Sequence, residues 1–434
     1  MTGGTLVGRS GRFPAVERFG LDFGTTNTSL TWARGEGLPA LCAIDPPAAD
    51  PRVLRTLLYF SLEERAFVVG QRAIAEYLAE DMQGTLIQSI KTFLADESFE
   101  ETWIHDRMWT LEDLIAVPFR HVRAAIRELT PGDVLLVVGR PAVFVERPEK
   151  EQLAQKRLRR AAERAGFARV EFQYEPIAAG LAYEASLDRP EVALIADLGG
   201  GTSDFTVMRL GTGSGGSRRD DILATGGVQI GGDTFDARIM ARKLAPFFGA
   251  GTTYRTMEGR DLPFPSHLLA RLGHWHQVPF LRARKTRDLL ARLRATSNEP
   301  EVVGRFQALA DGNAAFFLFE EIERAKSRLS REDEARIAFH LDAIDIEVGV
   351  TRAEFEAMIA ADLAKVAGCM HRVLTRAGLG AGEVDAVFVT GGSAQVPAVR
   401  ALFVDAFGAS RLRAQDYLTT VACGLGLTAA AYVE

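Results

Sequence analysis

Two segments of the sequence carry residue types that could hold a polyphosphate: LDFGTTNTSL (residues 21–30) and ADLGGGTSDFTVM (residues 196–208). In each, an apolar run ends in an aspartate, Asp22 or Asp197, and a turn of glycine and threonine follows. A triphosphate carries several negative charges, so its site needs backbone N–H donors, a bound cation and little side-chain bulk. Gly24 would let the backbone approach, while Thr25 and Thr26 offer hydroxyls and amides. Gly199, Gly200 and Gly201 repeat that chemistry, with Thr202 as hydroxyl donor and Asp197 and Asp204 as carboxylates. One such turn alone is an ordinary hairpin, because type I′ and II′ turns demand glycine for steric reasons. Two of them, each preceded by an aspartate, point to nucleotide binding. FVTGGSAQVPAVRALF (residues 388–403) adds a buried strand ending in Gly391 and Gly392 before a helix, where an adenosine could lie flat against the backbone.

The elements needed to position these residues are legible as periodicity. Both phosphate segments read as strand, turn and alternating strand, so the chain contains two related halves. Residues 134–138 form a β-branched run that predicts a buried strand, and residues 148–166 predict a charged amphipathic helix. Helices are also expected over 316–330, over 352–378 with Thr351 as cap, and over 420–432, with a buried strand over 386–390. Strands alternating with helices place the chain in the α/β class. A chain of 434 residues exceeds what one core holds, which predicts two lobes. The glycine-rich run 211–217 reads as an exposed hairpin loop without chemistry, and 245–313, punctuated by five prolines, as an inserted or elaborated subdomain.

Composition excludes more than it assigns. Apolar residues at 47%, charged residues at 25% and a net charge of −6 describe an ordinary globular chain with no global pull toward nucleic acid. Cys42, Cys369 and Cys423 lie far apart, with no zinc or disulfide spacing, which fits a reducing cytoplasm. The apolar run 421–433 is too short to span a bilayer. Residues 1–18 lack the apolar stretch of a signal peptide and read as a frayed, disordered tail.

In order along the chain, several segments resemble the nucleotide-binding half of the Hsp70 family within the actin-like ATPase superfamily. Beyond the two phosphate loops these are SIKTFL (89–94), EPIAAGLAYE (175–184), IGGDTFD (230–236), ERAKSRLS (323–330) and TGGSAQVP (390–397). Actin and MreB-like proteins share the phosphate loops but not the pair GGDTFD and ERAKSRLS. The resemblance implies a duplicated, ribonuclease H-like fold: two lobes around a nucleotide cleft, each a β-sheet flanked by helices. It divides the chain into lobe I (19–195), lobe II (196–390) with an enlarged subdomain at about 233–330, and a closing segment (391–434).

The resemblance also implies roles. ATP or ADP would be the bound nucleotide, with Mg²⁺ held through its waters by Asp22, Asp197 and Asp204. Lys91 would contact the γ-phosphate, and Glu175, Asp197 and Thr202 would place the attacking water. Gly24, Thr25, Thr26 and Asn27 of the first loop and Gly199, Gly200 and Gly201 of the second would surround the phosphates. Glu323, Lys326 and Ser330 would bind adenosine, with Gly391, Gly392 and Ser393 beneath it and Gly231, Gly232 and Asp233 nearby. The expected activity is slow ATP hydrolysis driving a conformational switch toward an unidentified protein partner, as in a chaperone. The alternatives are a nucleotide-binding scaffold with negligible turnover and an actin-like filament former.

The sequence departs from the family pattern in places. Read to Glu434, the sequence shows no segment resembling the family's leucine-rich linker or peptide-binding β-sandwich, so the expectation is a resemblance to the truncated YegD-like group. Ser327 and Gln395 stand where the family has basic residues near the adenosine. Pro141 matches the family's interdomain switch proline. Residues 281–296 carry six basic side chains on an amphipathic pattern, expected as a solvated face, with a docking surface for an acidic partner as the sharper alternative. GHWHQ (273–277) offers two histidines without a third ligand, which reads as structural.

Overall fold

The computed structural model describes residues 16–432 apart from 35–36, 64–65, 81–82, 100, 128–129, 131, 142–147, 185–186, 212–217, 274–277, 279–280, 282–283, 312–313, 342–343 and 414–419. The 211–217 loop after its first residue, and the GHWHQ histidines, lie outside the described residues.

The two phosphate segments form the hairpins their alternation predicts. Glu17–Phe23 pairs antiparallel with Asn27–Ala33, and Glu191–Leu198 with Ser203–Leu210, with Asp22 opposite Ser29 and Asp197 opposite Asp204. Each hairpin nucleates a larger sheet of the same design. In the first, Glu17–Phe23 also pairs in parallel with Val134–Arg140, which pairs in parallel with Arg169–Tyr174. In the second, Glu191–Leu198 pairs in parallel with Ala386–Thr390, which pairs in parallel with Leu412–Arg413. The third strand of each half, Ala40–Leu41 or Ile222–Val228, lies antiparallel on the hairpin's outer side. Apart from the short Val53–Arg55, a sixth strand of the first sheet that also pairs with Asn27–Ala33, both sheets run third, second, first, fourth, fifth, a duplicated topology with helices in the crossovers.

Each sheet has its own core. Phe19, Leu21 and Phe23 pack with Ile115, Phe119, Leu136 and Leu158 in the first lobe. Leu194, Phe205, Phe235, Phe355 and Phe403 belong to the core of the second. The 245–313 segment contributes Phe248, Phe264 and Phe306 to that second core. Its basic helix, Arg284–Thr296, buries Leu290 and Leu293 and exposes Arg284, Arg287, Arg292 and Arg294.

Some boundaries differ from those expected. The first strand begins at Glu17, which pairs with Val134 and accepts a 2.7 Å hydrogen bond from Trp32 Nε1, so Glu17 and Arg18 of the expected tail belong to the sheet. The second sheet begins at Glu191, ahead of residue 196. The last helix, Thr420–Ala431, turns back to the first lobe: Thr31 Oγ1 donates to the Ala422 carbonyl at 2.6 Å, and Leu425 clusters with Val137 and Ala178. Helix Arg352–Arg376 carries the expected cap, with Thr351 and Glu354 forming a reciprocal capping box.

Candidate functional site

The strand period of two decides which side of each hairpin meets the cleft. Leu21 and Phe23 fall into one core and Leu198 into the other, while Asp22 and Asp197 line a cleft of about 710 Å³ between the lobes. That volume lies within the range of small-molecule sites. The two turns close in the same way: Gly24 N donates to the Asn27 carbonyl and Gly199 N to the Thr202 carbonyl, each at 2.9 Å. They face each other closely, since a Cβ on Gly200 would stand 2.9 Å from Thr26 Oγ1. Beside Gly199 and Gly392, by contrast, a Cβ would meet almost nothing, so these glycines leave open space along the cleft wall.

Lys91 reaches the same place from a one-turn 3₁₀ helix, Ile90–Phe93, entered through Ser89 at a φ of 53°. Its Nζ donates to Glu175 Oε1 at 2.9 Å, and both side chains are nearly buried. Glu175 opens helix Glu175–Glu184, where the helix dipole favours an anion. Thr390 Oγ1 donates to Asp197 Oδ1 at 3.1 Å, and Thr202 Oγ1 to Asp204 Oδ2 at 2.7 Å.

Burial sets the electrostatics. Desolvation, with Glu175 and Asp197 adding repulsion, raises the Asp22 carboxyl to about 8 against the pull of Lys91. Asp197 is raised to about 6 and Asp204 to about 7, in both cases first by burial. Burial works against the Lys91 ammonium, yet Glu175, Asp22 and Asp197 outweigh it and hold its pKa above the usual lysine value. At this end the cleft therefore gathers more carboxyl groups than Lys91 can balance, which is the donor set a hard cation requires. Among the described residues no three acidic, histidine or cysteine side chains converge closely enough to ligate a metal directly. Carboxylates that act through the waters Mg²⁺ retains do not need to converge.

These directions carry a pH dependence. Asp22, Asp197 and Asp204 hold protons in the folded state that the unfolded chain, with carboxyls near 3.8, has already released. Their contribution to stability is complete below pH 4 and is lost as the pH rises through about 6 to 8. Thermal melts in chelator are expected to show Tm falling from pH 5 to pH 8, with a shallower fall in Asp22→Asn.

At the other end of the cleft, helix Ala314–Leu329 presents Phe316, Phe319, Glu323, Lys326 and Ser327 along one face, and Ser330 lies just past its end. Lys326 Nζ donates to Asp236 Oδ2 at 2.7 Å and to the Gly232 carbonyl at 3.2 Å. Asp236 Oδ1 is buried with no hydrogen-bond partner, and burial, opposed by Lys326, raises its carboxyl to about 7. Ser393 Oγ donates to the Gly199 carbonyl at 3.0 Å. Gly391, at a φ of +85°, sits where a Cβ would stand 2.2 Å from the Leu198 carbonyl, so only glycine fits.

Of the residues picked out in the sequence, Asp22, Gly24, Thr25, Thr26, Asn27, Lys91, Glu175, Asp197, Gly199, Gly200, Gly201, Thr202, Asp204, Gly232, Asp233, Glu323, Lys326, Ser330, Gly391, Gly392 and Ser393 all line this one cleft. Gly231 does not. A Cβ there would stand 2.4 Å from the Gly200 carbonyl, so its role is to let helix Gly232–Ile239 abut the second phosphate turn. Pro141, Ser327 and Gln395 also line the cleft. Three participants escaped sequence reading. Arg55 bridges the lobes to Glu323 at 3.4 Å, Tyr77 stacks on Phe317 with centroids 5.9 Å apart, and Asp236 pairs with Lys326. Only Asp236 had a signal, as the last residue of IGGDTFD.

The comparisons with known proteins divide along the chain. Residues 305–433 match the family model described as Hsp70 protein, and residues 119–243 match the one described as MreB/Mbl protein. The chaperone protein DnaK of Thermotoga petrophila is 24% identical over 423 residues, covering 95% of this chain and 59% of that protein. The DnaK of Halobacterium salinarum is 25% identical over 397 residues, 90% of this chain and 52% of that one. This chain is an Hsp70 relative with the actin-like ATPase fold. The chaperone protein HscA homolog of Aromatoleum aromaticum, 27% identical over 430 residues, covers 94% of the chain and 57% of itself. The chain spans less than two thirds of the length of these curated relatives. The MreB/Mbl match includes GGDTFD, so the weight in favour of Hsp70 falls on the 323–330 helix and the residues C-terminal to it. Among the described residues no helix is long and apolar enough to cross a membrane.

Proposed function

We propose that this chain binds ATP with Mg²⁺ in the cleft, hydrolyses it slowly, and uses the change from ATP to ADP to move its lobes for a protein partner in the cytoplasm. The observation that carries this reading is the buried Lys91–Glu175 pair, 2.9 Å apart and flanked by both phosphate hairpins and the carboxyls of Asp22, Asp197 and Asp204. A triphosphate laid between the hairpins would meet the turn amides and the Lys91 ammonium. Mg²⁺, held through water by Asp22, Asp197 and Asp204, would neutralise charge on the phosphates. Glu175, Asp197 and Thr202 would orient the attacking water, as in other phosphoryl-transfer sites where positioning dominates. Glu323, Lys326, Ser330 and the Gly391–Gly392–Ser393 turn would hold the nucleoside.

The lobe movement has a structural handle. Arg55–Glu323 and the Tyr77–Phe316–Phe317 ring cluster tie the first lobe to the helix that would contact the nucleoside, so nucleotide occupancy and lobe separation share one helix. Family-level kinship to proteins named as chaperones supports the partner class.

Single-turnover conversion of radiolabelled ATP tests the reading. The native chain is expected to form ADP in a magnesium-dependent way, and Asp197→Asn is the control that assigns the turnover to this cleft. ATP bound without conversion would favour the scaffold alternative, which the exchange of basic residues for Ser327 and Gln395 motivates.

A further inference from the structure

Helix Pro148–Arg164 contradicts its own pattern at one position. Its buried stripe runs through Ala154, Leu158, Ala161 and Ala162, and Arg157 lies in that stripe, 7% exposed. A charged side chain buried on the apolar face of a helix is costly unless its donors are satisfied. Here they are satisfied by a single segment of backbone. Nη1 donates to the carbonyls of Phe93 and Leu94, each at 3.1 Å, and of Asp96 at 2.8 Å, and Nη2 donates to the Phe99 carbonyl at 2.7 Å.

That segment is the continuation of the turn that carries Lys91. The turn is entered through Ser89, a buried non-glycine residue at a φ of 53°, a conformation that persists only where surrounding structure over-determines it. One constraint comes from within, as Thr92 Oγ1 donates to the Ser89 carbonyl at 2.7 Å. The other is external, because the Arg157 fork gathers the last carbonyl of the turn, that of Phe93, and three beyond it into one rigid cage.

We propose that Arg157 is the positioning residue for Lys91: by fixing the backbone of residues 93–99 it holds the strained 89–93 turn, and with it the ammonium, against Glu175 and the phosphate hairpins. The proposal rests on the reading of Lys91 as the phosphate contact, but its geometry can be tested apart from turnover. A displacement of the lysine on the order of 1 Å would cost the chemical step up to roughly a hundredfold while leaving nucleotide binding largely intact.

Two readouts on the full chain separate the claims. Acylation of lysines by an N-hydroxysuccinimide ester, coupled to peptide mass spectrometry, is expected to show Lys91 protected in the native protein. In Arg157→Met its labelling should rise about tenfold while Lys326 stays unchanged, a local opening that exposes only the side chain no longer held. Single-turnover ATP hydrolysis should fall by about tenfold to a hundredfold in Arg157→Met, with no further loss when the same change is made in a Lys91→Met background. Arg157→Lys keeps the cation but satisfies fewer carbonyls, so it should show the same pattern at smaller amplitude, and it replaces the methionine variant if that one does not fold. Unchanged Lys91 labelling, or an equal rate loss in both backgrounds, overturns the proposal. Raised labelling in a protein whose native form never hydrolyses ATP would sustain the positioning role and sink the proposed function instead.

Discussion

Lys91→Met is expected to slow single-turnover ATP hydrolysis by about a hundredfold to a thousandfold, the loss typical of removing one preorganised group from developing charge. The ammonium is fully protonated because Glu175, Asp22 and Asp197 overcome its burial, and it is the single lysine among the groups lining the phosphate end of the cleft. Nucleotide affinity should change less, within about tenfold, because the amides of two glycine turns and the nucleoside contacts remain. The variant also leaves Glu175 buried without its partner, so a measurable loss of Tm should accompany the loss of rate. Lys91→Arg separates the two effects: it keeps the charge and the pairing with Glu175, yet its planar fork cannot occupy the position of a compact ammonium. Stability should then be largely restored and the rate only slightly. A methionine variant that turns over ATP at the native rate would remove Lys91 from the site.

The hairpins, the α/β class and most element boundaries were legible in the sequence because each rests on a local signal. Asp22 and Asp197 stand at strand ends before glycine turns, Thr351 precedes Glu354 at capping-box spacing, and residues 386–389 are an unbroken apolar run. The sheet order is a different matter: strands 17–23 and 134–140 are neighbours through parallel pairing over a long crossover, which no local pattern encodes. The same holds for the parts of the site made by distant residues. Lys91 and Glu175 were found through flanking motifs, since a lysine and a glutamate 84 positions apart carry no spacing signal. Arg55 and Tyr77 were missed because they matter only once the lobes face each other. Arg157 was missed within a helix read only as charged and amphipathic, because what it binds is a set of backbone carbonyls, and carbonyls have no sequence identity.

The other large effect concerns the junction between the lobes. Helix Thr420–Ala431 crosses helix Glu175–Glu184 so closely that a Cβ on Gly424 would stand 1.7 Å from the Ala178 carbonyl oxygen and 2.2 Å from its carbon. Both atoms are backbone within a helix, so neither can rotate away as a side chain would. Gly424→Ala is therefore expected to destabilise the protein by about 3 kcal/mol or more, at the upper end for overpacking, read from urea or thermal unfolding. The sign is diagnostic, since glycine to alanine in a compatible helix position stabilises by about 0.4 to 1 kcal/mol through the unfolded state. Gly392→Ala provides that comparison: a Cβ there meets nothing within 4 Å, so stability should hold and any cost should fall on nucleotide binding. The crossing also reaches the chemistry, because Ala178 lies about one helical turn from Glu175. Prising the helices apart at Gly424 would move Glu175 away from Lys91, and the variant should lose turnover out of proportion to the fraction unfolded. If Gly424→Ala proved as stable as the native chain, the packing of the last helix beneath the first lobe would be wrong, and with it the placement of Glu175 in the cleft.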